Sequence, residues 1–265
     1  MPAKAKLEAI YRYPVKGLSP QMLDRVQLAV GATIPGDRIY AIENGPSGFD
    51  PAAPAHLPKQ RFLMLMRNAR LAELRTEFDE TTHTLTITHR GREQARGDLR
   101  TPKGRAAIEE FFAAFCSGEL RGPPRVLQAA NHSFSDVARK VVSIINLASV
   151  AALENAMGAT VHPLRFRGNL LLSGWPAWHE FDLLGQELAV GGSARLKIVK
   201  RIVRCAATEV DPETGMRDLD IPEALYRSFG HGDFGVYAEV VRGGEIAQGD
   251  DLAAIETAPA PLPFG

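Results

Sequence analysis

Cysteine is scarce in this chain: 265 residues carry two, Cys116 and Cys205. Two thiols do not make a disulfide framework, so a reducing, cytoplasmic setting is expected. Net charge is lacking too, with 31 basic residues against 31 acidic ones. That balance leaves no electrostatic footprint for nucleic acid or an anionic membrane, and neither is expected as a partner. No window reaches the roughly 18 apolar residues of a membrane span, and the stretch up to Gly17 has no apolar signal-peptide core. The seven histidines are scattered, and no His-x-x-x-His or Cys-x-x-Cys spacing marks a zinc site. No Gly-x-Gly-x-x-Gly or phosphate-loop motif marks a nucleotide, and no cysteine-rich segment after Leu252 marks an iron–sulfur module. There is no internal repeat, and the Ala/Pro-rich stretch 256–265 reads as a flexible tail.

What is present fits an ordinary globular protein, with 45% hydrophobic and 23% charged residues. The length allows one large or two small domains. Lys6 to Tyr13, Asp24 to Val30 and Ile39 to Glu43 read as short strands bounded by glycine and proline. Asn44 to Pro58 is rich in Pro, Gly and Ala and reads as mobile surface. Within Arg61 to Arg70, residues Phe62, Leu63, Leu65 and Met66 suggest a helical face. Leu71 to Phe78 and Thr84 to Thr88 read as a hairpin around Asp79–Thr82. A helix follows, with Thr101 as cap, Pro102 at its first position and Gly118 near its end. Ile108, Phe111, Phe112 and Phe115 form its apolar face, and Cys116 at its end reads as structural.

Gly122-Pro123-Pro124 suggests a boundary. Beyond it, Val141 to Ile145 reads as a strand running into a helix from Ala148 to Met157, which Gly158 stops. Asn146 or Ser149 caps that helix, and its start is a ready anion site. Further strands are expected at Asn169–Leu172, Glu187–Val190, Leu196–Val203 and Gly235–Val241. Many short strands with few helices point to a mainly β, barrel-type fold.

The chemistry concentrates around Cys205, in the stretch RIVRCAATEVDPETG. A thiol next to Arg204, followed by small residues and the turn-forming Asp211-Pro212 and Thr214-Gly215, is presented where a strand enters a turn. Thiolate, which a neighbouring cation favours, attacks electrophiles or ligates soft metals, whereas a buried cysteine is inert. If their segment is extended, Arg165, Arg167 and Asn169 project to one face and offer a fork for an oxyanion. His231 and Asp233 are candidates for a site rim.

RCAATEVDPETG resembles the cysteine motif of the MOSC family, named for the C-terminal domain of molybdenum-cofactor sulfurase. YPVKGL (Tyr13–Leu18) and GDRIYAI (Gly36–Ile42) resemble its N-terminal barrel. INLASVAALE (Ile145–Glu154), RFRGNLLLSG (Arg165–Gly174) and FGVYAEVVRGGEIAQGDDL (Phe234–Leu252) resemble its core and closing strands. The resemblance spans nearly the whole chain and implies an N-terminal barrel-like domain over 6–120 and a MOSC domain over 121–255. It also implies a molybdenum–pterin cofactor, with pyridoxal phosphate not expected. Cys205 would be the metal ligand, and Lys16, Arg38, Asn146, Ser149, Arg167 and Asn169 would hold the pterin and its phosphate. Arg204 would neutralise charge near the metal, and Asp211 is the nearest carboxylate in sequence able to deliver a proton. Gly17 stands where many relatives carry serine, and Gly168 where many carry proline.

Three functional readings stay open on the sequence. The chain is a molybdenum oxidoreductase acting on small N-oxygenated (N-hydroxylated) substrates with electrons from a separate ferredoxin-, flavin- or cytochrome-type donor protein. Or it carries sulfur as a persulfide on Cys205, or it binds the cofactor without turnover. The phosphate-type cations favour the first and third readings.

Overall fold

The computed structural model describes residues 4–255, and the tail at 256–265 lies outside the described residues. Alternation builds the first strands, β1 (Ala5–Arg12), β2 (Gln21–Leu23) and β3 (Arg25–Leu28). The short β4 (Ala41–Ile42) follows, and then the meander β5 (Leu74–Asp79), β6 (Thr84–His89) and β7 (Arg92–Asp98). Asp79 pairs with Thr84, as the expected hairpin requires. β7 is almost entirely polar and shows no pattern that its sequence could advertise.

Helix α1 (Pro102–Phe115) begins at Thr101, whose hydroxyl accepts from Gly104 N at 3.0 Å, and buries Ile108 and Phe112 completely. Gly104 and Gly97 let the helix meet β7 closely, since a Cβ on Gly104 would lie 2.2 Å from the Asp98 carbonyl oxygen. Cys116 packs at the helix end as a buried free thiol, and burial pushes its pKa up to about 12. β8 (Val126–Leu127) closes this half by pairing with β4.

The second half runs β9 (Val142–Asn146), α2 (Leu147–Met157), β10 (Leu170–Ser173), α3 (His179–Asp182), β11 (Glu187–Val190) and β12 (Ala194–Val203). It ends with α4 (Ile221–Phe229), β13 (Asp233–Arg242), β14 (Gly244–Ala247) and β15 (Asp251–Ala254). Seven strands close into a barrel in the order β10-β9-β13-β12-β11-β15-β1, sealed by β1 on β10, with β2 added outside β1. Of these pairs β9–β10 is parallel, and α2 makes the crossover that a parallel pair needs. All five residues of β9 are therefore buried, between the barrel interior and α2. The fold is mainly β, as expected.

Two main cores follow. Ala5, Leu7, Ile10, Val26, Leu28 and Ile34 pack with residues of 142–252 in the barrel, while 15–126 supply a second core that also takes in Val210. The strand packing therefore does not divide at residue 120, because the N-terminal strands complete the barrel.

One local expectation fails for a physical reason, and a second holds only in part. Phe62, Leu63, Met64 and Leu65 are all buried in an irregular stretch between the 3₁₀ turns Lys59–Arg61 and Ala69–Glu73, so consecutive apolar residues face neighbours on several sides and form no helix. In the loop 44–58, Asn44 and Ser47 are buried, and Asn44 Oδ1 accepts from Arg121 N at 3.0 Å. Asp50 to Pro58 is exposed except at Leu57, so most of that loop is surface, as expected.

Candidate functional site

One cavity of about 250 Å³ lies against the barrel strands β9, β12 and β13 and the second core. Lys16, Arg38, Arg165, Arg167, Asn169, Arg204 and Cys205 all line it, although they come from segments far apart in sequence.

At one end, Tyr13 lies fully buried between two guanidiniums, with Arg167 4.1 Å and Arg38 4.8 Å from its ring centroid. The ring face attracts both cations and keeps them apart. Both arginines sit in the left-handed region, at φ +49° and +53°, a conformation costly for a residue with a Cβ and common at functional sites. Arg38 pairs with Asp37 and donates to the Arg167 carbonyl at 3.3 Å. Arg167 donates through Nη1 to the Leu18 carbonyl at 2.9 Å, and its Nη2 is buried without a partner. Burial, with Arg38 nearby, lowers the Arg167 pKa to about 10, which still leaves it charged at neutral pH. Lys16 is buried, donates to the Phe134 carbonyl at 2.8 Å and pairs with Asp136. Burial dominates its pKa and lowers it against the pull of Asp136.

At the other end, β12 delivers Arg204 and Cys205 past its last residue. Arg204 is pinned by carbonyls, with Nε donating to Phe234 at 2.8 Å, Nη2 to Phe234 at 2.6 Å and Nη1 to Phe166 at 2.9 Å. Its charge survives burial, which lowers its pKa to about 10. Cys205 precedes the 3₁₀ turn Ala206–Glu209 in extended backbone, and Lys59 Nζ lies 3.3 Å from its Sγ. Lys59 also faces Asp136 at 3.6 Å. Burial opposes the Lys59 charge, but Asp136 and Cys205 outweigh it and raise its pKa. Asp136, though desolvated, is held below the carboxylate range by Lys16 and Lys59.

Several expected residues do not belong here. Asn146 and Ser149 are fully buried at the α2 start and do not line the cavity. Asn146 Oδ1 caps Ala148 N at 3.1 Å, while its Nδ2 donates to Glu180 at 2.9 Å and the Ser149 hydroxyl donates to Glu180 at 2.8 Å. Burial raises the Glu180 pKa against those bonds. Asp211 faces away from the cavity. Its Oδ1 accepts from Glu213 N, Thr214 N and the Thr214 hydroxyl, and its Oδ2 pairs with Arg165 at 3.1 Å, so its pKa is lowered and it builds the turn.

Arg165, Arg167 and Asn169 do not share an extended face, because Pro163–Phe166 is a 3₁₀ turn and Arg167 is left-handed. Arg165 pairs with Asp211 and Asp218 and donates to the Glu209 carbonyl, with its Nε left without a partner, and so anchors the cysteine loop. Asn169 lines the cavity, but its amide is engaged by Ser143 and by the Tyr11 carbonyl. His231 packs among Trp178, Phe181 and Phe229, and neither it nor Asp233 lines the cavity. Lys59, Asp136, Lys200 and Tyr237 are lining residues that sequence reasoning did not single out. Lys59 adjoins a loop read as surface, and Asp136 and Lys200 carry no motif. Tyr237 lay inside a recognised segment, FGVYAEVV, but nothing in its spacing set it apart.

Among the described residues no group of three or more His, Cys, Asp or Glu could hold a metal ion. A metal beside Cys205 must therefore bring most of its ligands with it. No described helix is long and apolar enough to cross a membrane.

A closed barrel, a second core and a cavity between them holding one thiol and several cations define the class. Residues 4–137 match the MOSC N-terminal beta barrel domain and residues 129–253 match the MOSC domain, so the chain belongs to the MOSC family. It is 31% identical over 123 residues to mitochondrial amidoxime reducing component 2 of Bos taurus, a match covering 42% of this chain and 36% of that protein. The chain thus spans about a third of the length of that relative. Among solved structures, the YuaD protein of Bacillus subtilis aligns over 96% of this chain and 97% of its own, at 15% identity and a TM-score of 0.44. YiiM of Geobacillus stearothermophilus aligns over 45% and 56%, at 21% identity and a TM-score of 0.35.

Proposed function

We propose that the cavity binds a molybdenum–pterin cofactor and that the protein uses it to reduce small N-oxygenated compounds, with electrons from a separate donor protein. The observation that carries this reading is Arg167 Nη2, a buried guanidinium nitrogen without a partner, on the wall of a cavity that also holds the accessible thiol of Cys205. An orphaned buried donor on a charged group is costly unless a ligand satisfies it. The donor set fits the group: cations suited to a phosphate at one end, a soft sulfur ligand at the other, and no competing metal cluster between. The match to an amidoxime reducing component supports the reaction class.

Arg167, Arg38 and Lys16 would hold the phosphate end, their charges preset by Tyr13, Asp37 and Asp136. Cys205 would face the metal, with the Lys59 ammonium 3.3 Å from its sulfur. Arg204, fixed by three carbonyl bonds, contributes field and rigidity. Met64, Leu65, Met66 and Val137 line the remaining wall and limit water. When bound, the cofactor supplies a redox-active metal that can take electrons from a protein donor and deliver them to an N–O bond.

The test is reduction of an aromatic amidoxime by protein made in a cofactor-competent host, with reduced methyl viologen as donor. Wild type is expected to turn over, and Cys205→Ser to lose at least about a hundredfold in rate, because a hard, protonated hydroxyl replaces a soft thiolate. Full activity in that variant would refute the ligand role.

A further inference from the structure

Tyr237 is a wall residue that neither the phosphate end nor the thiol end employs. On β13 it pairs with Ser143 of β9 on one side and with Lys200 of β12 on the other. Directly opposed residues on neighbouring strands share a face, and all three line the cavity. The bulge between Ile198 and Lys200 shifts the alternation of β12 by one and brings Lys200 opposite Tyr237. Arg204, Asp136, Arg38 and Lys59 all act on the phenol, which places it among the cavity charges. Burial raises its pKa, so it keeps its proton at neutral pH. Its hydroxyl makes no hydrogen bond to another described residue.

Several other proton sources of the cavity are committed. The Ser143 hydroxyl donates to Asn169 Oδ1 at 2.8 Å, and the Thr208 hydroxyl donates to the Cys205 carbonyl at 3.0 Å. Lys16 and Lys59 face Asp136, which holds no proton at neutral pH. Asp211 lies outside the cavity.

We propose that Tyr237 is the proton donor to the oxygen that leaves the substrate, an inference that rests on the N-oxygen reduction reading above. Breaking the N–O bond takes two electrons, which the cofactor, when bound, would supply from the donor protein. The Tyr237 O–H gives its proton to the departing hydroxyl, which leaves as water, and the nitrogen takes the second proton from solvent. The phenolate regains its proton from water at the Lys200 side, where that lysine is exposed.

Tyr237→Phe in cofactor-loaded protein tests this with two readouts. With reduced methyl viologen as donor, kcat for an aromatic amidoxime falls by about 10²- to 10⁴-fold at unchanged molybdenum content. Without any electron donor, affinity for the amidoxime falls about fivefold while affinity for the corresponding amidine, which lacks the oxygen, stays the same. Wild-type kcat in the Phe variant overturns the proposal, and so does an unchanged preference for amidoxime over amidine. Loaded wild type that reduces no N-oxygenated compound defeats the functional reading instead. The binding comparison still decides Tyr237 in that case: loss of the preference in the variant supports its contact with the oxygen, and a wild type without any preference refutes it.

Discussion

The start of α2 and the corner at Arg167 were both expected to hold the same anion, and they differ in what the chain has already put there. At α2 the Asn146 and Ser149 side chains both donate to Glu180, a carboxylate of the protein itself. At the Arg167 corner a buried donor has no partner. A helix start attracts anions by its dipole and free N–H groups, but that attraction says nothing of which anion arrives. Here an internal carboxylate fills the first position, and no described residue fills the second.

That contrast can be broken by substitution. Arg167→Ala is expected to lower cofactor affinity about 10- to 100-fold, the worth of one charge-assisted bond to a phosphate, with little change in melting temperature. Pterin content after purification checks it, and wild-type content would show that the corner is not the anion site. Ser149→Ala is expected to do the opposite, costing about 1–3 kcal/mol of stability because Glu180 and Trp178 N lose a buried partner, while pterin content holds. Denaturant unfolding beside a pterin assay separates the two.

Glu180 adds a pH signature to the same cluster. Its pKa is raised in the folded state, so its contribution to stability is fully present below its unfolded value and fades as pH rises through the folded one. The melting temperature of wild type relative to Glu180→Gln should therefore decline as pH rises from about 4.5. A difference independent of pH would mean that Glu180 is charged at no cost. The smallest effect belongs to Cys116→Ala, which should cost about 1 kcal/mol through a small cavity and leave cofactor content and reduction untouched.

Much of the fold was legible because alternation and caps are local: β11, α2 with its Gly158 stop and α1 with its Thr101 cap follow from their own residues. β7 and α4 were not, the first because its polar surface carries no pattern. The site was legible where a motif marks a turn, at Lys16, Arg38 and Cys205. It was illegible where role depends on distant partners. Arg165 and Arg167 are two residues apart, yet Asp211 and Asp218 take the Nη2 of one while the Nη2 of the other has no partner. Asp211 is near Cys205 in sequence but turned to Arg165, whereas Tyr237 is remote in sequence and on the cavity wall.

The central claim is that Arg167 and Cys205 grip opposite ends of one ligand, and the molybdenum-to-pterin ratio of purified protein tests it most directly. The account expects about equal amounts in wild type, pterin largely retained without molybdenum in Cys205→Ser, and both lost together in Arg167→Ala. Wild-type protein carrying sulfane sulfur on Cys205 and never molybdenum would contradict it and make the chain a sulfur carrier.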